Sequence, residues 1–289
     1  MRLPNLGSFW MLIAALGFAV MGALVKVGAT KFSSAELVFY RSIFGLMVIY
    51  AYIFAKKLPL ATPVMGKQMS RGLVGFVALV LFFYAIAHLP LATAVTLNYT
   101  SALFLALLMP LMLHEKPKPI LYAMILLGFV GVVLLLKPSF AKQDLIAGAV
   151  GLSSGFGAAF AYVHVKQLGN LGEPDWRTVF YFTLISTIAS GIWMLLQTYT
   201  PITWRDMPTL LGLGTSATIA QLAMTRAYRT GKTLTVASLA YTTVIFASLF
   251  GVLFWQETLS LSEYVAIGII IISGIVSANV TKNPAKMPK

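Results

Sequence analysis

The 289-residue sequence has no cysteine, and only 10% of its residues are charged. Without cysteine there is no disulfide, no thiolate metal site and no thiol nucleophile. Three histidines and eight acidic residues are spread along the chain. They form neither an H-E-x-x-H pattern nor another metal-ligand cluster, and no Walker loop is present. No metal and no cofactor are therefore expected. A soluble domain is nearer a quarter charged, so the scarcity of charge excludes an ordinary water-soluble fold. The acids are also absent from the places where ion coupling would need them. Glu36, Glu115, Glu257 and Glu263 fall at the ends of apolar runs, and Asp144, Glu173, Asp175 and Asp206 fall in or beside connections. None is placed near a bilayer centre, where proton relays and ion sites put their carboxylates.

What is abundant is apolar: 59% of residues are hydrophobic and the mean hydropathy is +0.87. That much apolar surface takes lipid as its solvent. Runs of about 18 or more apolar residues predict spans at 8–28, 35–55, 71–88, 91–113 and 119–136, then 145–166, 177–198, 208–229, 233–255 and 262–280. The expected fold is all-α and integral to the membrane, with ten transmembrane helices. The runs are too long and too uniformly apolar for β-barrel strands. Trp10 to Val27 is long enough to remain as a span and is not read as a cleavable signal.

The chain repeats itself. A shift of 142 positions carries Ala85, Thr93, Leu97, Tyr99, Thr100, Phe104 and Glu115 onto Ala227, Thr235, Leu239, Tyr241, Thr242, Phe246 and Glu257 without a gap. Val38-Phe39-Tyr40 matches Val179-Phe180-Tyr181 at 141, and Gly17-Phe18 matches Gly155-Phe156 at 138. The expected units are 1–140 and 141–289, each with five spans. Five is odd, so the second unit is expected to lie upside down relative to the first. This inverted plan is that of secondary transporters, with a solute site near the midplane between the halves. Lys and Arg set the orientation: fifteen fall on the side of the amino terminus and six on the other, which predicts both termini in the cytoplasm. In that setting the net charge of +13 is read as Lys and Arg beside anionic lipid, not as a nucleic-acid surface.

Spans 3 and 4, and spans 8 and 9, are joined by very short turns and must be antiparallel hairpins. Thr93, Thr96 and Thr100 share one helix face, as do Thr235, Ser238 and Thr242. Each stripe is either a helix–helix seam or a cavity lining. Tyr84, His88 and Tyr99 are close enough along spans 3 and 4 to meet; Tyr162 and His164 lie toward the end of span 6, Gln221 in span 8 and Tyr241 in span 9. A chamber of Tyr, His, Gln and Thr stacks a flat apolar solute and hydrogen-bonds its polar end. These seven residues are the expected solute contacts. Lys26, Glu36 and Arg41 are expected to cluster as an ion pair or an outer gate, with Glu115 and Glu257 as end caps and gate partners. Gly151-Leu152-Ser153-Ser154-Gly155 fits G-x-S-x-G but sits inside a predicted helix with no strand before it, so it reads as a small-residue packing face.

At YTSALF (Tyr99 to Phe104) with Glu115, and YTTVIF (Tyr241 to Phe246) with Glu257, the chain resembles the drug/metabolite transporter superfamily, EamA type. Lys26 and Arg41 extend the resemblance. Within that group it is most similar to the YddG-like bacterial exporters of aromatic amino acids. The spans end His114-Glu115 and Gln256-Glu257 where many members have Gly-Glu. The resemblance implies a bacterial inner-membrane carrier that exports amphipathic metabolites, aromatic amino acids above all, by alternating access around a central cavity. The alternatives are a nucleotide-sugar or phosphorylated-metabolite antiporter, a membrane hydrolase and a structural subunit. The antiporter calls for several cations at mid-depth, and from the sequence only Arg226 comes near. With no native cysteine, single cysteines introduced at Arg2 and Lys286 are expected to react with an impermeant maleimide only from the cytoplasmic face. Labelling from opposite faces would overturn the inverted plan.

Overall fold

The computed structural model describes residues 6–113, 119–136, 142–231 and 233–280. These residues form twelve α-helices: α1 (Leu6–Gly28), α2 (Ser34–Lys56), α3 (Met65–His88), α4 (Leu91–Tyr99), α5 (Ser101–Leu113), α6 (Pro119–Leu136), α7 (Lys142–Asn170), α8 (Asp175–Leu195), α9 (Met207–Thr230), α10 (Thr233–Ala240), α11 (Thr242–Trp255) and α12 (Leu261–Val280). A short 3₁₀ turn, Trp204–Asp206, precedes α9, and no strand occurs among the described residues. Six stretches are long and apolar enough to cross a bilayer: Gly7–Gly28, Ser34–Lys56, Met65–His88, Leu91–Leu108, Leu145–Asn170 and Asp175–Leu195. Shorter apolar helices cover Tyr122–Val132, Thr242–Trp255 and Leu261–Val276. In lipid every backbone group must be satisfied within the segment, which is why the chain is helical throughout.

Two predicted spans are each divided in two. The break falls at Thr100 between α4 and α5, and at Tyr241 between α10 and α11. Both lie in the repeated Tyr-Thr pair, and the backbone angles are nearly the same, φ −59°, ψ −13° at Thr100 and φ −62°, ψ −16° at Tyr241. Side-chain chemistry accounts for the match. The Thr100 hydroxyl donates to the Leu97 carbonyl at 2.6 Å, and the Thr242 hydroxyl donates to the Leu239 carbonyl at 2.7 Å. A hydroxyl bonded back to the preceding turn competes with the helical ladder and bends it.

The helices of the two halves pack in crossed pairs. α1 lies along α9 and α3 along α7, while α2 packs on α8, α4 on α11 and α6 on α12. Exchanging each helix for its repeat mate turns the first two pairs into one another, leaves α2–α8 and α6–α12 unchanged, and turns α4–α11 into α5–α10, which also touch. Close contacts follow the same exchange. A Cβ on Gly17 would sit 2.9 Å from the Ala220 side chain, and one on Gly157 would sit 3.0 Å from that of Ala78. Likewise Gly72 abuts Ile185 and Gly214 abuts Phe44. The packing mate of Gly17 is therefore Gly157, two residues beyond the Gly155 that the sequence match indicates. Gly155 has its own task, since a Cβ there would come within 2.6 Å of the Thr100 hydroxyl and 2.7 Å of the Leu97 carbonyl. Its bareness lets α7 cross directly over the α4–α5 break. Lipid supplies no hydrophobic drive between helices, so such close approaches carry the association.

The α3 helix starts at Met65, six residues before its expected start at 71. The change is small in length and large in consequence, because it brings Gln68 into the helix and moves Arg71 from its first residue to its second turn, and both are buried. Gly155→Ala is expected to destabilise the protein by about 1–3 kcal/mol, a drop of several degrees in thermal midpoint. Gly268→Ala, which meets nothing within 4 Å, is expected to be neutral or to gain about 0.5–1 kcal/mol. Thermal unfolding in detergent checks both; equal shifts would refute the crossing role of Gly155.

Candidate functional site

A cavity lies at the centre of the bundle, walled by Phe18 of α1, Arg41 of α2, Arg71 and Phe82 of α3, Asn98 and Tyr99 of α4, Tyr162 of α7, Phe182 of α8 and Gln221 of α9, with smaller apolar residues between them. Its volume is about 70 Å³, room for a few water molecules. Among the described residues no acidic side chain lines it.

Two arginines dominate its electrostatics. Arg41 is 4% exposed and Arg71 2%. Both guanidiniums lie over the ring of Phe182, at 5.5 Å and 4.4 Å from its centre. Arg41 Nη2 donates to Gln221 Oε1 at 3.4 Å, and Gln221 in turn donates to the Thr225 hydroxyl at 3.4 Å. Arg41 Nη1 and the Nε and Nη1 of Arg71 are buried without a hydrogen-bond partner. Arg71 is held inward by a local device: a Cβ at residue 75, one turn on, would fall 2.1 Å from its Nη1 and 3.0 Å from the Phe182 ring. Gly75 thus leaves the groove in which the guanidinium lies. Polar neighbours complete the wall. The Tyr99 hydroxyl accepts from Thr243 at 2.9 Å, which links α4 to α11. Asn98 donates to Ser154 of α7 at 2.9 Å, and Tyr162 stacks on Tyr228 with ring centres 4.8 Å apart.

Of the seven expected solute contacts, Tyr99, Tyr162 and Gln221 line this cavity, and the other four lie elsewhere. His88 is exposed, stacked on Tyr84 at 4.1 Å, with its Nδ1 2.8 Å from the Tyr84 carbonyl oxygen. His164 lies 3.0 Å from the Ser70 hydroxyl on the α3–α7 seam. Tyr241 is turned toward α12, where Gly274 makes room: a Cβ there would lie 2.1 Å from the tyrosine oxygen. The residue 142 positions before Gly274 is Val132, a buried side chain. The two repeated tyrosines accordingly part company, and only Tyr99 reaches the cavity. Thr93, Thr96 and Thr100 are buried on α4, whose neighbours include α7 and α11, and none lines the cavity. Thr96 and Thr100 bond back to their own helix. The side chains of Thr235 and Ser238, and the whole of Glu115, lie outside the described residues.

The expected Lys26, Glu36 and Arg41 cluster does not form, because each finds a different partner. Lys26 pairs with Glu257 and donates to the Leu89 carbonyl at 3.1 Å. Glu257 also accepts the Leu91 amide at 2.9 Å, capping α4. Glu36 closes a capping box with Ser33 and accepts from the Thr200 amide at 2.8 Å, while Arg41 turns inward. Nearby, hydrogen bonds from Lys31 and from Thr203 hold the Asp206 carboxyl below the usual range, at about 2. At the opposite face Lys166 donates to the Gly231 carbonyl at 3.2 Å, the repeat mate of the Lys26–Leu89 contact. There the buried carboxylate of Glu173 gathers Thr62, Gln68 and Arg177. Arg226, the one mid-depth cation expected from the sequence, is half-exposed beside Asp175 and over Trp10, in a second groove that also includes Tyr52 and Trp176. Ser153 of the G-x-S-x-G stretch is exposed on α7 and bonded to the Ala149 carbonyl.

A helical bundle with lipid-length apolar spans and a central cavity lined from both halves, two buried arginines in its wall, has the build of a membrane carrier. Comparison with known proteins narrows that class. The sequence model described as "EamA-like transporter family" matches residues 5–137 and again 145–278. The chain belongs to this family of the drug/metabolite transporter superfamily, as a multi-pass membrane transporter. It is 32% identical over 270 residues to the pseudopaline exporter CntI of Pseudomonas aeruginosa (strain UCBPP-PA14), covering 93% of this chain and 94% of that protein. It is 31% identical over 281 residues to an uncharacterized transporter of Helicobacter pylori (strain J99), covering 94% of each. A riboflavin transporter of Vibrio cholerae is 26% identical over 234 residues, 78% of this chain and 76% of that one. A solved crystal structure shares the fold with a TM-score of 0.71 at 20% identity, covering 95% of this chain and 98% of that chain. The names of these relatives differ from the aromatic amino-acid exporters that the sequence resembles.

The part-buried Lys26–Glu257 pair ties the α3–α4 turn to the end of α11. Lys26→Met and Glu257→Gln are each expected to cost about 1–3 kcal/mol, and the double variant less than their sum. A double variant that is strictly additive in thermal unfolding would show that the two side chains do not act on each other.

Proposed function

We propose that the protein is a secondary transporter that exports small amphipathic, carboxylate-bearing metabolites across a bacterial inner membrane. Both termini lie in the cytoplasm, the two five-span halves are inverted, and the central cavity alternates between the two sides. One observation carries the reading: a buried polar chamber sits between the halves, ringed by Phe18, Phe82, Phe182, Tyr99 and Tyr162, with Asn98, Gln221 and two cationic side chains aimed into it. Rings supply stacking surface for a flat solute body, and the few polar groups orient its charged end. Ionisable side chains inside a membrane protein are costly and mark solute pathways. The narrow volume fits a resting form that widens when the halves part around a solute. A relative whose name is that of an exporter supports the outward direction.

Aromatic amino acids are the narrowest form of this reading. The ring-lined wall favours them, but an amino acid also carries an ammonium, and among the described residues no carboxylate lines the cavity to receive it. Carboxylate-bearing aromatic compounds without a free ammonium suit the wall better. The phosphorylated-metabolite reading also gains support, because Arg41 and Arg71 supply the buried cations it calls for.

Proteoliposomes loaded with the small-molecule fraction of a bacterial lysate are expected to release at least one anionic metabolite several-fold faster than protein-free liposomes, as read by mass spectrometry. Tyr99→Ala, made with normal expression, is expected to slow that release at least tenfold. Identical release of every species with and without protein would sink the transport reading.

A further inference from the structure

Arg41 and Arg71 are an unusual pair to leave facing each other. Each is almost wholly buried, each leans on the same Phe182 ring, and their charges repel. Two such cations normally have carboxylates beside them, since an unpaired buried charge costs several kcal/mol. Among the described residues neither arginine is in an ion pair, and no Asp or Glu lines the cavity. The nearby acids are committed elsewhere: Glu36 to Ser33 and Thr200, Glu173 to Thr62, Gln68 and Arg177. The chain nevertheless keeps both guanidiniums in place, with Gly75 left bare beneath Arg71 and Gln221 bonded to Arg41. Three guanidinium nitrogens remain unpartnered. Each guanidinium is a planar fork that matches a carboxylate through two parallel hydrogen bonds.

Resting on the transport reading above, we infer that the solute carries two carboxylates, one for Arg41 and one for Arg71, with its apolar body against Phe182. The solute supplies the counter-charge that the protein omits. A monocarboxylate satisfies one fork and leaves the other bare. A compound with one carboxylate and one ammonium, such as an amino acid, brings a third cation into a site that already holds two.

The test uses purified full-length protein in detergent, with calorimetric titration of a matched set of ligands. 2-Phenylsuccinate has two carboxylates on a phenyl-bearing chain, 3-phenylpropionate has one, and phenyl phosphate has a phosphoryl group in their place. Phenylsuccinate is expected to bind at least tenfold tighter than phenylpropionate. Arg41→Gln and Arg71→Gln are each expected to bring that ratio close to one, whereas Arg205→Gln, an exposed cation in the connection before α9, leaves it unchanged. A folding defect is separated by a second readout. With no ligand present, Arg41→Met and Arg71→Met are expected to raise the thermal midpoint, because each removes a buried unpaired charge.

Equal affinity for phenylsuccinate and phenylpropionate, a ratio that survives both Gln variants, tighter binding of phenyl phosphate, or no binding of any of the three would each overturn the inference. So would a lowered midpoint in both Met variants, which would mean that the arginines are already satisfied within the protein. The release assay with lysate metabolites reads transport without reference to these ligands. Transport that persists while phenylsuccinate shows no preference removes the two-carboxylate solute and leaves the carrier.

Discussion

Close backbone approach between the two halves is the constraint on which the rest of the molecule depends. Within a bilayer, apolar side chains gain little by choosing one another over lipid, so helices are held by van der Waals fit and by the hydrogen bonds that fit allows. The Gly17–Ala220 and Gly157–Ala78 crossings bring α1 onto α9 and α7 onto α3. Those four helices supply Phe18, Gln221, Tyr162 and Arg71 to the cavity wall. The chamber is what remains where close packing stops. Bulk at any of these small residues would push apart the walls of the site and not merely loosen a distant contact.

Against that tight scaffold the cavity is an exception to the economy of the fold. Its arginines add only one long hydrogen bond and contacts with the Phe182 ring to the bundle, and burying them opposes folding. Sites of this kind persist for function. The same reasoning separates Lys26 from Arg41, two cations that look alike in the sequence. Lys26 reaches Glu257 and the Leu89 carbonyl and is structurally satisfied. Arg41 has a single long hydrogen bond to Gln221, and its one charge lies over the Phe182 ring that it shares with Arg71.

Much of the architecture was legible. Long apolar runs separated by charge located the helices to within a few residues at most ends, whereas the division of two spans at the repeated Tyr-Thr pairs was not expected. Packing was legible only in outline, since Gly155 and Gly157 are equivalent letters two places apart and their neighbours alone distinguish them. The site was half legible. Tyr99, Tyr162 and Gln221 were found because polar groups in apolar runs stand out. Arg71 was missed because a basic residue at the end of a span is by default taken as its border, and the expected span began at it. The spacing Arg71-x-x-x-Gly75 was the available signal, a bare groove one turn after a cation. Tyr84 and Tyr241 could not be excluded by sequence, because which way an aromatic ring turns is decided by a partner such as Gly274 on another helix.

In the two-carboxylate carrier proposed above, the paired arginines of the cavity have an energetic consequence at the level of the whole cell. A chamber that holds two fixed positive charges when empty, and close to none when it carries a doubly negative solute, moves charge on its empty stroke. A negative cell interior draws the vacant, cationic site back toward the cytoplasm with about 2.3 kcal/mol per charge for each 100 mV. The loaded site travels outward nearly indifferent to that field. Such a carrier needs no sodium or proton gradient to work in one direction, because the resting voltage of the membrane already sets it.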